Sequence, residues 1–257
     1  MKVLGWGASD VGRKREHNED SFLCNDQLGL YAVADGMGGH LGGERASRMA
    51  VEIVERSLTA NIPLAARAAA DLVAQGERRT PLPTGNLLRN AVVEADRSIY
   101  EAALRDPALN GMGTTLTSLL FRERRVHVGH VGDSRAYLYR DGKARQITDD
   151  HSWIQDQVRA GLLSQEEARE SRFRNIITRS VGFEPSVQPD MQELIVQAGD
   201  CYVLCSDGLS NYLGADEIGQ LLTVQFYRDA PRSLIALAND RGGDDNITCV
   251  CIYASND

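Results

Sequence analysis

The chain has 257 residues, 42% of them hydrophobic and 25% charged, with a formal net charge of −8; it is long enough to bury a substantial core in one α/β or α+β domain spanning 1–257. No run approaches the roughly 20 apolar residues needed to cross a bilayer, and the start, Met1-Lys2-Val3-Leu4-Gly5, lacks the apolar segment and cleavage site of a signal peptide, so a cytoplasmic protein is expected. The acidic balance argues against nucleic acid, whose phosphates reward clustered Lys and Arg, but leaves room for a phosphorylated substrate, which needs one local positive spot.

In chain order, Leu28–Ala34 is short, apolar and bounded by turn formers, and predicts a buried strand. Glu44–Leu58 has apolar residues at helical spacing, and Leu87–Leu104 predicts a second helix. Between them, Asn61–Gly85 is Ala- and Arg-rich and then carries Pro81, Pro83 and Gly85, which reads as a linker or extended loop. Three strands follow closely, at Thr114–Phe121, Arg125–Val131 and Arg135–Arg140, and the hairpin pair Asp141-Gly142 leads into Lys143–Ile147. Ser152–Arg169 is charged and helical in pattern. Strands at Glu193–Gln197 and Asp200–Cys205 are joined by Ala198-Gly199, and short helices at Asp216–Leu222 and Pro231–Asn239 precede a last strand, Ile247–Tyr253. Hairpin-joined strands with helices grouped between them imply antiparallel sheets flanked by helices.

The five cysteines are Cys24, Cys201, Cys205, Cys249 and Cys251, most of them in apolar runs. That usage suits reduced, buried thiols in a cytosolic protein. The CxC of Cys249 and Cys251 and the CxxxC of Cys201 and Cys205 suggest a thiolate metal site, but strand alternation is expected to split each pair between opposite faces.

The acidic residues carry more information. Asp35 ends the run Tyr31-Ala-Val-Ala34 and is followed by Gly36; Asp207 ends Tyr202-Val-Leu-Cys-Ser206 and is followed by Gly208; Asp133 ends Val128-Gly-His-Val-Gly132; Asp244-Asp245 precedes the final strand. Any one alone reads as a turn residue, since Asp-Gly is a common turn pair. Several carboxylates at buried strand tips, with Glu19-Asp20 near the start, exceed what turns need, because each costs desolvation energy unless something positive meets it. Carboxylates without His or Cys are the hard oxygen set preferred by Mg²⁺ and Mn²⁺. Two such ions bridged by one Asp can position and deprotonate a water for attack on phosphorus. A glycine after the bridging Asp leaves room for a backbone carbonyl to approach an ion. Arg13-Lys14-Arg15 lies just before Asn18-Glu19-Asp20, and an Arg there can grip phosphate oxygens in bidentate fashion; the plainer reading is a solvated basic turn.

Across these residues the chain resembles the metal-dependent (type 2C) serine/threonine protein phosphatase family in its bacterial form. The matching segments run in the family's order: Ser9-Asp-Val-Gly-Arg-Lys-Arg-Glu-His-Asn-Glu-Asp20, Ala34-Asp-Gly-Met-Gly-Gly-His40, Gly111-Met-Gly-Thr-Thr115, Gly129-His-Val-Gly-Asp-Ser-Arg-Ala136, Thr148-Asp-Asp-His-Ser152, Arg174-Asn-Ile-Ile-Thr-Arg179, Leu204-Cys-Ser-Asp-Gly-Leu209 and Asp244-Asp-Asn-Ile-Thr248. Each is weak alone; the ordered set is specific.

The resemblance implies an α+β fold, a four-layer αββα sandwich of two antiparallel sheets with helices on both outer faces. It implies a dinuclear Mn²⁺ or Mg²⁺ centre bridged by Asp35, with the Gly36 carbonyl on one ion and Asp207 and Asp245 completing the other. Glu19 would serve the Gly36 ion through water, Asp20 would orient that shell, Asp133 would help Asp207 hold a third, weaker ion, and Arg15 would bind the phosphate. Residues 151–182 match a mobile flap. Two departures stand out. Where animal relatives place a proposed general-acid His after the Asp-Gly, this chain has Met37, which leaves leaving-group protonation to a metal-bound water; nearby His40 reads as structural. Where bacterial relatives often have His-Pro in the flap, this chain has Ser171-Arg172, which bears on substrate preference.

The implied activity is hydrolysis of phosphoserine and phosphothreonine on proteins by a monomer, opposing a eukaryotic-like Ser/Thr kinase in a bacterium. A catalytically dead phosphoprotein-binding relative would have lost a metal carboxylate, and every one matched above is present. A phosphatase of a small metabolite or of a stage-specific regulator stays open on sequence.

Overall fold

The computed structural model describes residues 1–74, 82–164, 167–168, 171, 173 and 176–256, the side chain of His40 excepted. Eleven strands lie among them: β1 (Lys2–Asp10), β2 (Asp20–Asn25), β3 (Leu30–Met37), β4 (Gly113–Thr114), β5 (Leu116–Arg122), β6 (Arg125–Val131), β7 (Arg135–Arg140), β8 (Lys143–Gln146), β9 (Asp190–Ile195), β10 (Cys201–Cys205) and β11 (Ile247–Ser255). The helices are α1 (His40–Ala74), α2 (Thr84–Arg105), α3 (Trp153–Arg159), α4 (Asp207–Ser210), α5 (Ala215–Val224) and α6 (Ala230–Asp240).

One sheet runs β1-β11-β10-β7-β8 and the other β2-β3-β5-β6-β9, with β4 on the end of β3, and every pairing is antiparallel. Three buried clusters mark the seams of four layers. Leu30, Ala32 and Ala34 of β3 pack against Ala46, Val54, Leu88 and Val92 of α1 and α2. Tyr31 and Val33, on the other face of the same strand, meet Tyr202, Leu204, Val250 and Ile252 between the sheets. Val203 and Ile247 face Leu222 and Leu234 of α5 and α6 on the far side. A strand apolar on both faces must be covered on both faces, so the continuous run Leu30–Ala34 requires this layering. The αββα expectation holds.

Several local expectations change. The stretch expected as a linker continues α1 through Pro63 to Ala74; Ala-rich sequence is strongly helix-forming, and this arm projects largely into solvent. Of the rest of that stretch, residues 75–81 lie outside the described residues, and Thr84 and Gly85 open α2. The helix expected over 152–169 stops at Arg159, where Ala160 and then Gly161, at φ +70°, end it. The Asp141-Gly142 hairpin is as expected, with φ of 52° and 78° at its two central residues. Ala198-Gly199 is no hairpin: it carries the chain from β9 in one sheet to β10 in the other. β1 and β2 were not anticipated, since β1 mixes polar, Gly and apolar residues at a sheet edge.

The cysteines expected to be buried and unbridged are so, but the expected split of each pair between opposite faces is overturned. Residues two and four apart on a strand share a face, so Cys201, Cys205, Cys249 and Cys251 all lie in the cluster under α4–α6. All four are free and fully buried. Cys201 and Cys205 nevertheless sit a whole strand length apart on β10, too far to share one ion, and the four serve as small packing residues.

Candidate metal centre

Topology delivers the acidic residues to one end of the sandwich. Asp20 opens β2 directly opposite Asp35 near the end of β3. β10 finishes at Cys205, opposite Cys249 of β11, so Asp207, just past one strand, and Asp245, just before the other, emerge side by side. Asp133 occupies the turn between β6 and β7. Asp35, Asp133, Asp207 and Asp245 line a cleft of about 350 Å³ together with Arg15, Glu19, Gly36, Met37, Gly38, Gly39, Ile177 and Asn246. All the residues singled out from sequence thus meet here, with Asp20 buried directly behind them. The His40 side chain lies outside the described residues.

The backbone around Asp35 is fixed from three sides. Its N–H donates to Thr115 Oγ1 at 2.9 Å, and its carbonyl accepts from Thr115 N at 2.8 Å and from Thr114 Oγ1 at 2.9 Å. Gly36 N–H donates to Glu19 O at 3.2 Å. A Cβ on Gly36 would lie 2.1 Å from Gly43 O, and one on Gly43 would lie 1.9 Å from Glu19 Oε2. Both glycines are therefore required for the first turn of α1 to close over Glu19 and Asp35, a packing reason that the sequence reading did not contain. Asn246 ties the ends together: its Oδ1 accepts Glu19 N–H at 2.8 Å, and its Nδ2 donates to Val11 O and His17 O, each at 2.9 Å. Ser206 Oγ donates to Asp20 Oδ2 at 2.8 Å. Thr114, Thr115, Ser206 and Asn246 are holding residues that the sequence reading passed over, although all four stood inside segments already recognised.

The electrostatics are unresolved by the chain itself. Burial pushes Asp35 well above the usual carboxylate range, and the charges of Asp20, Asp207, Asp133 and Asp245 push it further. Burial raises Asp20 to about 7, against hydrogen bonds from Thr248 and Ser206. Asp133 is raised by burial, then by Asp207 and Asp150. Asp207 is raised by burial and Asp245, with Asn211 and Asp35 pulling the other way through hydrogen bonds. Among the described residues, four buried side-chain polar atoms lack a hydrogen-bond partner, and three are here: Asp20 Oδ1, Asp133 Oδ1 and Asp207 Oδ1. Buried carboxylates in mutual repulsion, with free lone pairs, call for cations.

The guanidinium that lines the cleft is committed to a single acid. Arg15 Nη2 lies 2.8 Å from Asp245 Oδ2. Burial works against its charge, but Asp245, Glu19 and Asp35 more than offset this. Asp244 faces away and pairs with Lys14 Nζ at 2.6 Å. Among the described residues, no three His, Cys, Asp or Glu side chains are already gathered so as to hold an ion. An open, all-oxygen cleft fits Mg²⁺ or Mn²⁺, which take few protein ligands and keep several waters, and it does not fit zinc, which favours closed His and Cys sets.

Comparison with known proteins agrees. Residues 9–245 match the family described as Protein phosphatase 2C. A serine/threonine phosphatase of Listeria monocytogenes is 35% identical over 248 residues, covering 95% of this chain and 93% of that one. The crystal structure of the Mycobacterium tuberculosis serine/threonine phosphatase PstP/Ppp superposes with a TM-score of 0.86 at 34% identity, covering both chains fully. The catalytic domain of PstP in complex with two manganese ions gives 0.83 at 34% identity, covering 99% of each chain.

Proposed function

The chain belongs to the protein phosphatase 2C family, and from that premise we propose that the acidic cleft is the catalytic centre of a serine/threonine protein phosphatase acting on phosphoserine and phosphothreonine in proteins. The observation that carries this reading is the meeting of Asp35, Asp133, Asp207 and Asp245 with Arg15 in one cleft, where buried carboxylate oxygens have no partner of their own.

In this reading Asp35, the Gly36 carbonyl, Asp207 and Asp245 would hold two Mn²⁺ or Mg²⁺ ions, with Asp35 shared between them. Glu19 would serve the ion at Gly36 through water, Asp20 would orient that set from behind, and Asp133 with Asp207 would hold a third, weaker ion. Bound there, the ions supply Lewis-acid activation of the attacking water and charge neutralisation at phosphorus. The chain's own residues do the rest. Asp35 and its neighbours, raised in the metal-free protein, give up protons as cations arrive, so binding is coupled to pH. With Asp245 engaged by an ion, the Arg15 guanidinium would be free for the phosphate oxygens, which its fork fits in bidentate fashion. Met37, on the cleft wall, has no proton to give, so leaving-group protonation does not come from that position.

We read 1–257 as one catalytic domain, cytoplasmic and monomeric, with 151–182 as a flap over the cleft. The substrates fitting this chemistry are the phosphorylated loop of a Ser/Thr kinase and the proteins that kinase modifies. Among the described residues no helix is long and apolar enough to cross a membrane. The test is turnover of a phosphothreonine peptide, p-nitrophenyl phosphate and a sugar phosphate, with Mn²⁺, with Mg²⁺ and in excess chelator. Metal-dependent, chelator-reversible activity that favours the peptide is expected. Full turnover in chelator would overturn the metal assignment, and a preference for the sugar phosphate would overturn the substrate.

A further inference from the structure

The segment Thr148–Ser152 and the stretch ending in Arg179 carry no role in the chemistry above, yet they meet in a polar network beside the cleft, buried at His151 and open to solvent at Asp190 and Arg179. His151 is 2% exposed. Gly132 N–H donates to its Nδ1 at 3.1 Å, which makes Nδ1 the acceptor and leaves the hydrogen on Nε2. That Nε2 lies 3.1 Å from Asp190 Oδ2 on β9, and Arg179 Nη1 lies 3.0 Å from Asp190 Oδ1. The backbone of the same residue is used twice more: His151 N–H donates to Gly132 O, and His151 O accepts Thr178 N–H, each at 2.8 Å. Ser152 bridges Ile177, which lines the cleft. Behind this ring, His130 packs against His151 with the ring centroids 4.8 Å apart and the planes tilted by 40°, and is held by Thr117 Oγ1 at 2.9 Å and Asp149 O at 3.0 Å.

The Gly132 side of this network is equally constrained. Gly132 has φ +108°, and a Cβ there would lie 2.6 Å from the Thr115 side chain, so only glycine fits and its N–H direction is set. The next residue is Asp133, buried with an unpartnered Oδ1. Burial lowers the affinity of the His151 ring for a second proton, opposed by Asp190, which keeps Nδ1 an acceptor.

We propose that His151 is a positioning residue that clamps the Gly132–Asp133 turn to the Ile177–Thr178 segment, so that Asp133 and the opposite wall of the cleft hold one geometry. The proposal rests on the reading of Asp133 given above. Removing the ring leaves a buried N–H without a partner and frees the turn, an effect of about tenfold on what the turn positions.

The test uses the full chain with His151→Leu, His151→Asn, Asp133→Ala and the Leu/Ala double variant. Asn keeps an acceptor near the Nδ1 position; Leu keeps none. His151→Leu is expected to lower kcat on a phosphothreonine peptide about tenfold, with KM for p-nitrophenyl phosphate within about twofold, and His151→Asn to restore most of it. In the Asp133→Ala background His151→Leu should cost nothing further, because both act at one point. In the metal-free protein the amides of Gly132 and Thr178 should both exchange about tenfold faster in His151→Leu. Additive losses in the double variant, or wild-type exchange at Gly132, would overturn the clamp. If Asp133→Ala itself is silent, the role given to Asp133 fails, and exchange at the two amides still decides the clamp. Should His151→Leu not fold, His151→Gln, which reaches Asp190 but not Gly132, takes its place against His151→Asn.

Discussion

The chain buries aspartates in two ways. Asp200 is 1% exposed and is met by Arg140 through two bonds of 2.7 Å, with Gln197 N–H at 2.7 Å completing it. Asp150 is met by Arg135 through Nε and Nη2, and Asp96 accepts Gly182 N–H at 2.7 Å and Val187 N–H at 3.0 Å. At the cleft, Asp20 and Asp133 are buried and Asp207 is half-buried, and each keeps a buried oxygen with no partner among the described residues. The first group is closed by the polypeptide; the second is left open at a place where the surrounding backbone is tightly held. An incomplete charge balance on a rigid frame is the mark of a site completed by a ligand.

Exchanging one residue in each group should separate the two most clearly. Asp35→Asn should lower turnover by about three orders of magnitude or more, because without the bridging charge two cations repel each other. The protein should remain folded, as circular dichroism would show. A folded variant with near wild-type kcat would mean the wrong Asp carries the bridge. Asp200→Asn should do the reverse. It takes the charge from a buried carboxylate and weakens its bonds to the partly exposed Arg140 and to Gln197 N–H, at a cost of about 1–3 kcal/mol, a fall of roughly 5 °C in Tm for a chain this size, with kcat within about twofold at 25 °C.

The two groups should also part with pH. In the metal-free protein the folded-state pKa of Asp20 is raised, to about 7. The folded state then holds a proton that the unfolded chain has released, so stability is fully present below about pH 4 and is lost as pH rises towards 7. His130, lowered by burial to about 4, and His151, also lowered by burial, work in the opposite sense; they cancel when a variant is compared with wild type. In chelator, Asp20→Asn should therefore gain on wild type steadily from pH 4 to 7, reaching on the order of a few kcal/mol. A margin that is flat with pH would remove Asp20 from the unsatisfied group. The smallest effect belongs to Arg15→Ala. Without its bidentate grip, phosphate is held less tightly in ground and transition states alike, so KM should rise about 10- to 100-fold with kcat little changed. If kcat alone fell, Arg15 would be a transition-state residue instead.

Much of this was legible in the residues. A carboxylate at the tip of a buried strand is visible without coordinates, and antiparallel topology then brings such tips to one end. What stayed hidden depends on neighbours distant in sequence. Gly36 and Gly43 are required by each other and by Glu19, and of the linker expected at 61–85 the part up to Ala74 is helix because its alanines outweigh Pro63. The cysteine pairs were misjudged through an error of strand period: positions two apart share a face. The edge strand β1 had no clear alternation to read, and Asn246 and Ser206 look like ordinary turn residues until their partners arrive from residues 11–20.

If the cleft is left unsatisfied for divalent cations to complete, the metal must stabilise the fold. Thermal unfolding at pH 7.5 in millimolar Mn²⁺ and in excess chelator tests this directly, on wild type and Asp35→Asn together. At about a hundred times the dissociation constant, one site adds about 2.7 kcal/mol, or roughly 5–10 °C here. That shift is expected in wild type, reversed by chelator, with little of it in Asp35→Asn. A wild-type Tm identical with and without the metal would contradict it.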